Sequence, residues 1–144
     1  LVVFCAPGHP LAGGSPAATA ALAGQPWILR EQGSGTRRQF ERIVVPALGK
    51  CVVRLELEHT EAIKRAVESG LGVGCLSRLA LREAFRRGSL VEVPTPQFDL
   101  RRRFYIVRHA RRHESGAVRA FRQVCAEVCG VAQKTSELAL PFIP

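Results

Sequence analysis

Glu31-Gln-Gly-Ser-Gly-Thr-Arg-Arg38 decides how the rest of this chain is read. A short apolar run, Trp27-Ile-Leu29, precedes it and has the length of a strand. Gln39-Phe-Glu-Arg-Ile-Val-Val45 follows, and there Phe40, Ile43 and Val44 recur at helical spacing. The stretch is a strand-to-helix junction. Gly33 and Gly35 permit a sharp turn and a close approach of backbone to ligand. Ser34 or Thr36 is placed to cap the helix. The first N–H groups of a helix have no intrahelical partner; with two hydroxyls and Arg37 they make a site suited to a small anion. An ordinary capped loop has the same local sequence, so the weight falls on its surroundings.

Those surroundings alternate strands with helices. Leu1–Cys5 and Gln25–Leu29 read as strands, with a short helical turn at Thr19–Ala23 between them. The helix after the glycine loop is expected from about Thr36 to Val45 or Leu48, ended or kinked by Pro46. Val52–Leu57 is a strand, and Glu58-His-Thr-Glu61 is a second strand-to-helix junction. Thr60 is the expected N-cap there, and Glu61 suits the positive helix end. Ala62, Ile63, Ala66 and Val67 make the apolar stripe, with Glu61, Lys64, Arg65 and Glu68 facing outward. Gly72–Leu76 reads as a buried strand, and Ser77 caps a helix over Arg78–Arg87 that Gly88 stops. Leu90–Val93 and Phe104–Val107 are further strands. Ser115 caps a last helix with Ala117, Val118, Phe121, Val124, Cys125 and Val128 as its buried stripe. The pattern predicts an α/β fold with helices on both sheet faces. Ligands of such sheets sit at the carboxyl ends of strands, so Ser34–Arg37 and His59–Glu61 are expected to face one cleft.

Composition narrows the function. The chain has 144 residues, is 47% hydrophobic, and has no run of 18 apolar residues that would span a membrane. It starts within an apolar strand-like run and contains no Met, which reads as either a fragment of a longer protein or a chain trimmed to its soluble part. Five cysteines without a C-x-x-C pair argue against a disulfide framework and for a reducing compartment. Cys125 and Cys129, four apart on a helix, lack further clustered ligands, so no metal is expected. The formal charge is +9, and segment 101–122 holds eight arginines against one acid, Glu114. Such a patch invites a nucleic-acid reading, but solvated helix and loop faces explain it as well, and no recognised DNA-binding pattern accompanies it. No G-x-S-x-G, P-loop or zinc motif is present, and a non-enzyme is expected.

Taken in order, Ala6-Pro-Gly-His-Pro-Leu11, Leu22-Ala-Gly-Gln-Pro-Trp-Ile28 and Gly33-Ser-Gly-Thr-Arg37 resemble the effector-binding region of LysR-type transcriptional regulators. His59-Thr-Glu-Ala-Ile-Lys64, Val67-Glu-Ser-Gly-Leu-Gly-Val-Gly-Cys-Leu-Ser77 and Gly88-Ser-Leu-Val91 continue the resemblance, which covers roughly residues 1–129. It implies a type 2 periplasmic-binding-protein-like fold, here mostly its second lobe, with a mixed sheet flanked by helices. Residues 1–10 would be strand and hinge from a missing first lobe, and 11–100 the second lobe. Residues 101–130 would return to the first lobe, and 131–144 would be a tail.

The resemblance further implies a cytoplasmic effector sensor that pairs with itself as a homodimer or homotetramer. It would reach DNA only through an N-terminal winged helix-turn-helix outside this chain. Hydroxyls, backbone N–H groups and one Arg suit a small oxyanion or carboxylate as its effector, and no cofactor is expected. The matching effector-binding positions are Ser34, Gly35, Thr36 and Arg37, then His59, Thr60 and Glu61. A solute-binding protein of a transport system and a basic nucleic-acid-binding module are the alternatives.

Overall fold

The computed structural model describes residues 1–102, Val107 and 114–129. The chain divides into two compact units, Leu1–Arg103 and Phe104–Pro144. The first carries β1 (Val2–Cys5), α1 (Thr19–Ala23), β2 (Pro26–Arg30), α2 (Gly35–Leu48), β3 (Val52–Leu57), α3 (Thr60–Glu68), β4 (Val73–Leu76), α4 (Arg78–Arg87) and β5 (Val91–Val93). The strands form one sheet in the order β3-β2-β4-β1-β5. β2 is parallel to β3 and β4, whereas β1 is antiparallel to β4 and β5. The expected mixed sheet is therefore present.

Side-chain alternation sorts the core into two layers. Val3, Cys5, Trp27, Leu29, Val73 and Cys75 share one layer with Leu22 of α1 and with Phe40, Val44 and Leu48 of α2. Phe4, Ile28 and Leu76 share the other with Ile63 and Val67 of α3 and with Leu81 and Ala84 of α4. Helices cover both faces, as expected. Residues 1–10, expected as strand and hinge of a missing lobe, supply β1 to the interior of this sheet. Val3, Phe4 and Cys5 are fully buried, and a strand apolar on both faces belongs between neighbours rather than at an edge.

Two glycines let the strands close. Gly74 pairs with Phe4 on one side and Ile28 on the other. A Cβ at Gly74 would lie 2.5 Å from Cζ of Phe4, so the ring occupies the space a side chain would need. At Gly72, with φ +155°, a Cβ would lie 2.1 Å from the Pro26 carbonyl oxygen. Above the sheet, the Trp27 and Phe40 rings are tilted at 59° with centroids 4.7 Å apart, an edge-to-face type of contact that pins α2 to β2.

Several local expectations change. α2 begins at Gly35 and passes through Pro46 to Leu48. Pro46 removes one backbone bond without ending the helix, which reaches the farther of its two expected bounds, Leu48, and stops at Gly49, at φ 67°. The N-cap of α3 is His59, not Thr60. Ser77 takes the N-cap position of α4 without a side-chain cap bond. Lys64 is buried rather than outward, its ammonium donating to Glu61 Oε1 at 2.7 Å while its aliphatic stem is covered.

In the second unit, α5 spans Gly116–Cys129, and Ser115 Oγ accepts from the Val118 N–H at 3.4 Å. Its expected buried stripe is not buried: Val118, Phe121, Val124 and Val128 are all exposed. The strand expected at Phe104–Val107, apart from Val107 itself, and the tail 131–144 lie outside the described residues.

Gly74→Ala should lower the unfolding free energy by about 2 kcal/mol, because a buried ring must give way in a close-packed core. Urea denaturation followed by tryptophan fluorescence measures it. An unchanged midpoint would show that the Phe4 ring moves aside freely.

Candidate functional site

β2, β3 and β4 run parallel, so the helices that follow them begin at the same edge of the sheet. α2 then covers one face, while α3 and α4 cover the other. Adjacent strands whose following helices diverge to opposite faces open a crevice at the strand carboxyl ends. The loop after β2 lies at that switch point, between the loops after β3 and β4.

Gly33 turns the loop with φ +89°, a left-handed conformation that favours glycine. Ser34 is the N-cap of α2, and its Oγ accepts from the Thr36 N–H at 3.3 Å. Its carbonyl accepts from the Arg38 N–H at 2.9 Å. The Gly35 N–H is on an exposed residue at the positive end of a 14-residue helix with no acid in its first turn. The Arg102 guanidinium reaches this turn, with Nη1 3.5 Å from Thr36 Oγ1 and 3.4 Å from the point where a Cβ of Gly35 would lie. The Arg101 carbonyl accepts from Gln39 Nε2, which holds this return segment against α2.

Arg37 has another role. Its side chain is only 7% exposed. Nε donates to Glu41 Oε1 at 2.7 Å, and Nη1 donates to Glu56 Oε2 at 3.1 Å and to the Arg30 carbonyl at 3.0 Å. The guanidinium thus ties α2 to β2 and β3, and these bonds turn it toward the sheet. Its i,i+4 relation to Glu41 is visible in the sequence. Its link to Glu56, 19 residues away, is not.

The second junction comes close to the first. The hydrogen bonds from Arg30, at 2.7 and 2.8 Å, hold the Glu31 carboxyl below the usual carboxylate range, and the charges of Arg30 and His59 act in the same direction. The charge of Glu58 acts on Arg30. His59 is exposed, Thr60 is half-buried, and the Glu61 side chain is 72% exposed and paired with Lys64. The structure therefore brings Ser34, Gly35, Thr36 and His59 to one edge, with Arg37 beneath them. Arg102 belongs to the basic run 101–122, but nothing in the sequence singles it out from the other arginines there.

Other chemistry finds little support at this edge. Burial pushes the Cys75 thiol up to about 12 and the Cys5 thiol up to about 11, so neither is a thiolate nucleophile at neutral pH. Among the described residues no group of three His, Cys, Asp or Glu could hold a metal ion. Nor is any described helix long and apolar enough to cross a membrane. An open groove lined by Leu1, Glu92, Pro94, Phe98 and Arg101 includes none of the loop residues.

Residues 1–130 match the family model described as LysR substrate binding domain. The Escherichia coli K12 protein named "Uncharacterized HTH-type transcriptional regulator YeiE" is 44% identical over 125 residues, 87% of this chain and 42% of that protein. The RuBisCO operon transcriptional regulator of Allochromatium vinosum is 35% identical over 123 residues, 85% of this chain and 41% of that protein. This chain thus spans about two-fifths of the length of such relatives. Among solved structures, the Synechocystis PCC6803 CcmR regulatory domain in complex with 2-PG matches with a TM-score of 0.79 and 34% identity, over 88% of this chain and 61% of that one. The effector binding domain of QuiR in complex with shikimate shares the fold, with a TM-score of 0.65 at 15% identity, over 88% of this chain and 59% of that one.

Arg37→Ala should destabilise the fold by about 2 kcal/mol, through lost charge-assisted bonds whose carboxylate partners are exposed enough to be rehydrated. Chemical denaturation measures the loss. Wild-type stability would show that the guanidinium does not tie α2 to the sheet.

Proposed function

The chain belongs to the family of LysR substrate-binding domains, and from that premise we propose that it is the effector-sensing domain of a LysR-type transcriptional regulator. Its effector is a small anion, an oxyanion or a carboxylate, and no cofactor takes part. The observation that carries this reading is the first turn of α2. There a Ser34-capped helix start, the exposed Gly35, the Thr36 hydroxyl and the Arg102 guanidinium converge at the switch point of the sheet. His59, Thr60 and Glu61 form the rim on the side of the second junction. Arg37 serves the site by holding α2 and the sheet together rather than by touching the ligand.

The protein works in the cytoplasm as a homodimer or homotetramer and is not an enzyme. It reaches DNA through a helix-turn-helix domain outside this chain. The effector signals only as far as it binds one arrangement of the protein better than another. That 2-PG occupies the related CcmR domain supports an anionic ligand here.

A thermal-shift screen with 2-PG, inorganic phosphate, sulfate and shikimate tests the reading. A ligand at a hundred times its Kd should add about 2.7 kcal/mol of stability by linkage, a midpoint rise of several degrees. Thr36→Ala and Arg102→Ala should each abolish most of that rise. A rise that persists unchanged in both variants would place the site elsewhere.

A further inference from the structure

The glycine loop is gripped just before it starts. Glu56 Oε1 accepts from the backbone N–H of Gln32 at 3.2 Å, while Glu56 Oε2 accepts from Arg37 at 3.1 Å. Glu41 Oε1 accepts from Gln32 Nε2 at 3.3 Å and from Arg37 Nε at 2.7 Å. Gln32, Glu56, Arg37 and Glu41 therefore close a ring of hydrogen bonds that runs through one buried cation, Arg37. Gln32 is the residue before Gly33, where the chain turns toward Ser34, Gly35 and Thr36.

We propose that Arg37, Glu41 and Glu56 are positioning residues that set the geometry of the Gly33–Thr36 loop by clamping Gln32. The effect on ligand rests on the effector reading of that loop; the clamp itself does not.

The sheet register shows how Glu56 comes to take part. Trp27 pairs with Val53, but Ile28 pairs with Leu55, so Arg54 is an extra residue in β3. A one-residue bulge reverses the facing of every residue after it. Without it, Leu55 and Leu57 would face α2 and Glu56 would face away. With it, Leu55 and Leu57 pack in the layer of α3 and α4, and Glu56 faces Arg37. Arg54 turns instead to the Leu71 carbonyl, to which its Nη1 donates at 3.2 Å. The bulge thus delivers a carboxylate to the loop from an edge strand that the local motif does not include.

A merely stabilising ion pair would slow opening everywhere alike, whereas a clamp acts on the loop. Hydrogen exchange followed by mass spectrometry separates the two in Glu56→Ala, Glu56→Gln and Arg37→Lys. The Glu56 side chain is 42% exposed on an edge strand, so its removal leaves the core intact. Peptides spanning 31–36 should exchange at least tenfold faster in Glu56→Ala, with those of β1 and β4 unchanged. Glu56→Gln, which keeps an acceptor for the Gln32 N–H, should fall between. Arg37→Lys, which keeps the charge but not the fork, should also loosen the loop. Loop exchange at the wild-type rate in Glu56→Ala would overturn the proposal, and so would equal acceleration in β1 and β4.

Calorimetric titration with 2-PG and inorganic phosphate adds the functional arm. Where the wild type binds either probe, Glu56→Ala should weaken it at least tenfold, and an unchanged Kd would remove the functional consequence. Binding of neither probe by the wild type would count against the effector reading, while the exchange data still decide the clamp.

Discussion

The packing of the Phe4 ring over Gly74 is the constraint on which this domain depends. It lets β1 lie against β4, and β1 in turn carries β5 on its other side. A side chain at position 74 would need the volume that the ring fills, on a face where α3 and α4 also press inward. Gly72 plays a smaller part, letting the approach to β4 pass close to the Pro26 carbonyl. With that seam closed, β2, β3 and β4 stand parallel beside it. The helices that follow them then start at a common edge. The site is a consequence of sheet topology before it is a matter of side chains.

What sequence periodicity shows is local, and here it served well locally. The apolar runs before Glu31 and Glu58 are strands, the stretches after Ser34 and His59 are helices, and Ser34 caps as its position suggested. Helices on both faces followed from alternating strands and helices. Long-range partners were not legible. Nothing in Leu1–Cys5 says that it enters this sheet between β4 and β5, because an apolar run suits any interior strand. The bulge at Arg54 has no glycine or proline to mark it, yet it decides which way Glu56 faces. Lys64 looked like a solvated residue, since a stripe count considers the charge and ignores four methylenes. On α5 the stripe was read correctly as apolar, but whether a stripe is buried depends on what lies against it.

Arg37 shows the same division at the site. In the motif Gly33-Ser-Gly-Thr-Arg37 it is the obvious cation for an anionic ligand. In the fold it is nearly buried and shared between two carboxylates and a backbone carbonyl. An arginine's planar fork can hold three partners at once, which suits a strut better than a free arm. The cation at the first turn of α2 comes instead from Arg102, 66 residues beyond Thr36. Local geometry thus ties Arg37 to the sheet and puts Arg102 beside the first turn of α2.

Effector sensing at this edge requires a small anion at the start of α2. Titration of the isotopically labelled protein with 2-PG and with inorganic phosphate, followed by amide 15N–1H spectra, tests this residue by residue. Saturable shifts are expected, largest at Gly33, Gly35 and Thr36 and smaller at His59 and Thr60. Shifts confined to other segments, such as the groove formed by residues 94–101, with the loop amides unmoved at saturation, would contradict it.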